Sequence, residues 1–172
     1  PMAFSAIVLA EADLAYRSYI KLDGIVFTTS GPTYGASLMQ DSHYNEITNC
    51  EFYGNPHTTM PIGSLSPSNH NWIHDNIFTA RGGDLCTEGG DAIRIGAAWE
   101  PYYSTNNTIE NNLFYNAGHA NFDAYSHRYT VIRNNIFHNE PWWTAGDTCK
   151  WAADYDNNAW DGKWGHRNIQ IG

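Results

Sequence analysis

The chain has 172 residues, 42% hydrophobic, 15% aromatic and only 16% charged, which excludes a disordered chain, since such chains are charge-rich and poor in aromatic residues. Lys and Arg number 9 against 18 Asp and Glu, a formal net charge of −9. So acidic a surface repels phosphate backbones and argues against nucleic acid as a partner, and the longest apolar run, Ala6 to Ala10, is too short to cross a bilayer.

The length fits one domain, 1–172. The 18 Asn and 15 Gly imply many turns, and many turns imply many short strands. Three Cys in no metal-like spacing exclude a disulfide scaffold and a structural zinc site. No basic segment precedes the apolar start, so no signal peptide is expected here. The opening Pro1 suggests a processed product or a piece of a longer solenoid.

In chain order, residues 4–17 suit either a capping helix or a first pair of strands. Five copies of one short motif follow: Leu22-Asp23-Gly24-Ile25-Val26-Phe27, Ile47-Thr48-Asn49-Cys50-Glu51-Phe52, Ile73-His74-Asp75-Asn76-Ile77-Phe78, Ile109-Glu110-Asn111-Asn112-Leu113-Phe114 and Ile132-Arg133-Asn134-Asn135-Ile136-Phe137. The pattern is aliphatic-x-Asn/Asp-small-x-Phe, and a sixth copy is expected to begin at Asn168-Ile169-Gln170-Ile171-Gly172. A repeat of about 25 residues with insertions of about ten, broken by Asn and Gly, is not helical. A second strand recurs in each unit, best seen in Ala92-Ile93-Arg94-Ile95-Gly96, then in Asn121-Phe122-Asp123-Ala124-Tyr125, more weakly in Ser37-Leu38-Met39 and Pro61-Ile62-Gly63. Such units coil into an all-β, single-stranded right-handed parallel β-helix of about six rungs, stacked about 4.8 Å apart. The column of Asn49, Asp75, Asn111 and Asn134 and the adjacent column of Asn76, Asn112 and Asn135 are expected to bond from rung to rung and satisfy the corners. Phe27, Phe52, Phe78, Phe114 and Phe137 are expected to stack in the interior.

The run Gly89-Gly90-Asp91-Ala92-Ile93-Arg94-Ile95-Gly96, with the Asn-Asn rungs around Asn111 and Asn134, resembles right-handed parallel β-helix proteins of the pectate-lyase-like superfamily. It is closest in wording to polysaccharide lyases of the alginate lyase and chondroitinase B type. The resemblance covers about Tyr19 to Gly172, favours a strand over a helix in residues 4–17, and implies a carbohydrate-active, lyase-like protein with a polysaccharide partner. Where those lyases place a lysine base, this chain reads Tyr125-Ser126-His127-Arg128-Tyr129.

Arg94, His119, Asp123, His127 and Arg128 form the candidate catalytic set. If the two second strands align, Arg94 and Asp123 point outward on adjacent rungs, about 5 Å apart. A His beside a carboxylate serves as a general base and a guanidinium neutralises a substrate carboxylate; the plainer alternative is a surface ion pair. Asp84, Glu88 and Asp91 in a Gly-rich stretch are candidate calcium ligands, or else a solvated acidic loop. Five of the seven Trp fall in the C-terminal insertion. Trp142, Trp143, Trp151 and Tyr155 are the expected sugar platforms, or else they pin that insertion to the helix. His43, His70 and His166 precede rung strands at a similar offset, which assigns them to turns rather than to a metal. Cys50 reads as a buried free thiol, and Cys86 and Cys149 lie in insertions that could meet in a disulfide, which would fit an extracellular, secreted protein. A solenoid whose open ends stack on neighbours is the competing, non-catalytic function: a structural module associating end to end.

Overall fold

Each copy of the motif folds as two short strands meeting at a left-handed corner. The computed structural model describes residues 7–9, 11–28, 34–53, 58–79, 91–96, 102–115, 120–138 and 167–171. Five circuits and part of a sixth follow in order. The first holds β1 (Ile7–Leu9), β2 (Ala12–Asp13) and β3 (Lys21–Asp23). The second holds β4 (Ile25–Thr28), β5 (Ala36–Ser37) and β6 (Glu46–Thr48), and the third β7 (Glu51–Tyr53), β8 (Met60–Ile62) and β9 (Trp72–His74). The fourth contains β10 (Ile77–Thr79), β11 (Ile93–Ile95), β12 (Ser104–Thr105) and β13 (Thr108–Glu110). The fifth contains β14 (Leu113–Tyr115), β15 (Ala120–Ala124), β16 (His127–Arg128) and β17 (Val131–Arg133), and the sixth β18 (Ile136–His138) and β19 (Arg167–Ile171).

Three parallel faces result. The first is β1-β4-β7-β10-β14-β18 and the third is β17-β13-β9-β6-β3. The second is β8-β11-β15-β19, which a Leu38–Ile62 bridge joins to the β2–β5 pair. The expected all-β parallel solenoid of about six rungs is the observed architecture, and residues 4–17 supply strands where they are described. Among the described residues, no helix is long and apolar enough to cross a membrane.

The sixth motif copy is a correction. Ile169 pairs with Phe122 and Gln170 with Asp123, so β19 extends the second face and not the Ile column of the third. The word Ile-x-Ile-Gly, shared by Ile93-Arg94-Ile95-Gly96 and Ile169-Gln170-Ile171-Gly172, is the better alignment.

Side chains of like kind sit above one another because parallel strands in register repeat each position at every rung. Phe27, Phe52, Phe78, Phe114 and Phe137 stack with centroids 4.7 to 4.9 Å apart. Ile47, Ile73 and Ile109, in register between Leu22 and Ile132, are fully buried beside them. Full burial of each ring or branched chain contributes about 1.5–3 kcal/mol.

Two corners are built alike. At the corner between third and first faces, Gly24, Asn49, Asp75, Asn111 and Asn134 all have positive φ, from 53 to 68°, a region that Asn and Asp enter at less cost than other side chains. The next residue carries the ladder: Asn76 Oδ1 accepts from the Cys50 amide at 2.9 Å, Asn112 Oδ1 from Asn76 at 3.0 Å and Asn135 Oδ1 from Asn112 at 2.9 Å. Cys50 is the expected buried free thiol, and burial pushes its pKa up. The corner before the third face repeats the device with Tyr19, Tyr44, His70, Asn106 and Tyr129 at positive φ. There Asn71 Oδ1 accepts from the Asn45 amide at 3.1 Å and Asn107 Oδ1 from Asn71 at 2.9 Å. Rings stack along this corner, Tyr19 on Tyr44 and Tyr44 on His70, which gives His70 its expected turn role.

Candidate functional site

β11 and β15 place Arg94 opposite Asp123 in register, as the aligned second strands predict. Ile93, Ile95, Phe122 and Ala124 face the core, so strand alternation turns Arg94 and Asp123 to the outer side. Outer does not mean exposed here: Asp123 is 0% exposed, as is Asp91. The expected surface pair is therefore corrected to a largely buried cluster. The Arg94 guanidinium lies between the two carboxylates, Nη2 on Asp91 and Nε 3.5 Å from Asp123. Thr58 Oγ1 donates to Asp91 at 3.2 Å. Tyr125, which the sequence does not single out, stands beside the group; burial first, and then the Asp123 charge, push its hydroxyl up to about 12. It stays a neutral phenol and does not act as a base at neutral pH.

His127 and Arg128 lie one strip further round, on β16. His127 pairs with Ser104 and Arg128 with Thr105. Arg128 is exposed and sits 3.8 Å over the Tyr103 ring, a cation–π contact. His127 is half-buried, and that burial pushes its pKa below the usual imidazole value, so it is neutral at pH 7. The structure thus brings together Arg94, Asp123, Asp91 and Tyr125, and places His127 and Arg128 beside that group rather than in its ion-pair network. His119, Trp142, Trp143, Trp151, Tyr155, Asp84, Glu88 and the Cys86–Cys149 pair lie outside the described residues.

Asp91, expected as a calcium ligand, faces a guanidinium and a hydroxyl donor. A calcium site gathers several oxygen ligands around the ion, whereas the described partners of Asp91 are Arg94 and Thr58. Among the described residues, no cluster of three or more His, Cys, Asp or Glu side chains could hold a metal.

With this geometry established, the comparisons with known proteins give one match. A family model described as right handed beta helix region matches residues 9–137. The chain belongs to the right-handed β-helix family. That match supplies the hand of the coil and spans all but the last of the circuits described above. Comparison with curated proteins and with solved structures found nothing that matches. This β-helix therefore carries its functional argument in its own residues.

One further group was missed in the sequence. The outer side of the third face carries Lys21, Glu46, Trp72, Thr108 and Val131 in one row, and Asp23, Thr48, His74, Glu110 and Arg133 in the next. These residues lie far apart in the chain, and only the rung register assembles them.

Proposed function

We propose that this β-helix binds a polysaccharide along the outer side of its second face and cleaves it in the manner of a lyase. The observation that carries this reading is the buried Asp91–Arg94–Asp123 cluster with Tyr125. The scaffold does not call for charge at that register: Pro61 occupies the same position one rung earlier, and burying ions costs several kcal/mol each unless they are paired. Charged groups held at such cost cluster at functional sites.

In this reading the edge of Arg94 that reaches solvent receives a uronate carboxylate, which acidifies the adjacent C–H. His127, neutral because it is half-buried, takes that proton. The C–H electrons form the new carbon–carbon double bond, the glycosidic C–O bond breaks, and the imidazolium returns its proton to the departing oxygen. Asp91 and Asp123 hold the guanidinium.

The test is depolymerisation of alginate, polygalacturonate and chondroitin sulfate, read by ultraviolet absorbance of the unsaturated product and by reducing ends. Product absorbance that vanishes in His127→Ala and Arg94→Met supports the reading. Reducing ends without absorbance replace elimination by hydrolysis, and silence on all three polymers refutes cleavage.

A second reading, a module that associates end to end, draws on β1, the outermost described strand of the first face, where Ile7 and Val8 are 62% and 59% exposed. Sedimentation velocity over a range of concentrations separates the two: a monomer at all concentrations removes the association.

A further inference from the structure

We infer that the third face holds a second, separate glycan site, centred on Trp72 and selective for neutral sugars. Trp72 is 43% exposed although it sits in the middle strand of a five-stranded face. One side of its indole lies on the His74 imidazole, with centroids 3.8 Å apart and planes 24° from parallel. Its Nε1–H donates to Glu110 Oε1 at 2.8 Å. These two contacts fix the orientation of an indole that stays partly open to solvent.

The supports are themselves held. His74 Nε2 lies 3.2 Å from Glu46 and its Nδ1 2.6 Å from Asp75. Glu110 is also bound by Arg133 Nε. An indole so pre-oriented loses little rotamer freedom on binding, which removes a common cost of recognition. An indole exposed only to water would need no such fixing.

Charge selects the ligand class. The face pairs its own ions: Lys21 Nζ with Glu46 at 2.9 Å and with Asp23 at 3.4 Å, and Arg133 with Glu110. No cation among these is left over for a uronate or sulfate. A neutral pyranose offers what the face accepts: an apolar C–H side for the indole and hydroxyls for its rim. Thr108, next to Trp72 in the same outward row, and the ion-paired groups of Glu46, Asp75 and Arg133 line that rim. Rungs lie about 4.8 Å apart, so a linear glycan lying along the axis runs from Trp72 to Thr108 on one side and to Glu46 on the other.

The experiment is affinity electrophoresis of the whole chain in gels containing hydroxyethyl cellulose, mixed-linkage β-glucan or xylan, with alginate and polygalacturonate alongside. The expected result is retardation in at least one neutral gel, weakened at least tenfold in Trp72→Ala and only a few-fold in Trp72→Phe, which keeps a ring over His74. Circular dichroism checks that both variants fold, and the Phe variant carries the test if the Ala variant does not. Retardation by a neutral gel that Arg94→Met leaves unchanged separates this site from the second face. Retardation untouched by either Trp72 variant overturns the proposal, as does retardation confined to the polyuronides or absent everywhere.

Discussion

Asn111 and Asn112 are neighbours of the same type with different work, and replacing each in turn separates a corner conformation from a ladder. Asn112 Oδ1 accepts from the Asn76 amide and from Asn76 Nδ2, both at 3.0 Å, while its Nδ2 donates to the Ile73 carbonyl at 3.0 Å and to Asn135 Oδ1 at 3.1 Å. Asn112→Ala deletes all of these and leaves the buried Asn76 N–H without its acceptor. An orphaned buried donor costs about 1–3 kcal/mol and each lost bond about 0.5–1.5, so the loss is expected at about 3 kcal/mol or more. Asn111 is exposed with φ of 56°. Asn111→Ala is expected to lose only about 1–2 kcal/mol for a left-handed Cβ, and Asn111→Gly close to nothing. Asn112→Asp keeps one acceptor but turns a second oxygen toward the Ile73 carbonyl and Asn135 Oδ1. It is expected to be as damaging as Ala at neutral pH and partly relieved in acid, where the carboxyl can donate. Urea unfolding, with coincident circular dichroism and fluorescence curves as the two-state check, measures all four variants. Amide exchange at Asn76 should quicken in Asn112→Ala and not in Asn111→Gly. Equal losses at the two positions, or a larger one at Asn111, would refute the ladder argument.

Two further outcomes follow from the shifted groups. In Asp123→Asn the Tyr125 hydroxyl should fall below about 12 yet stay above its ordinary 10.0, because burial outweighs the Asp123 charge among its causes; NMR titration of ring-labelled tyrosine reads this, and an unmoved value would sever Tyr125 from the cluster. The pKa of His127 is depressed by burial below its unfolded 6.5, so its contribution is full above pH 6.5 and is lost as pH falls through the folded value; melting temperatures should drop less between pH 7.5 and 5.5 in His127→Gln than in the parent, and identical slopes would exclude the imidazole.

Periodicity made the interior legible, because a column one residue wide repeats in the sequence as a motif. Phe27 through Phe137 and Asn76 through Asn135 stack as that motif implies. The ladder of Asn45, Asn71 and Asn107 stands two residues before the aliphatic anchors Ile47, Ile73 and Ile109, so reading the motif two positions further upstream would have found it. The pairing of Arg94 with Asp123 was legible for the same reason. Their burial was not, since nothing in a strand's alternation says what covers its outer side. Trp72, His74, Glu110 and Arg133 share no motif, because an outward position is free to differ at every rung, and only three-dimensional register gathers them.

The corners divide the labour of change. Ladder partners 25, 26, 36 and 23 residues apart make the same kind of bond with the same geometry. Chain length between rungs is thus uncoupled from registration, as a longer excursion costs only about 0.6 kcal/mol per doubling of the loop. Where the third face meets the first, each of the five described turns passes through one left-handed residue, and an insertion there would disturb the ladder beside it. Between the first and second faces the distance varies, from β7 to β8 and from β10 to β11, and so does that between the second and third, from β8 to β9 and from β15 to β17. An evolving lineage can therefore lengthen or shorten the chain on either side of the second face while the edge between the third and first faces stays fixed.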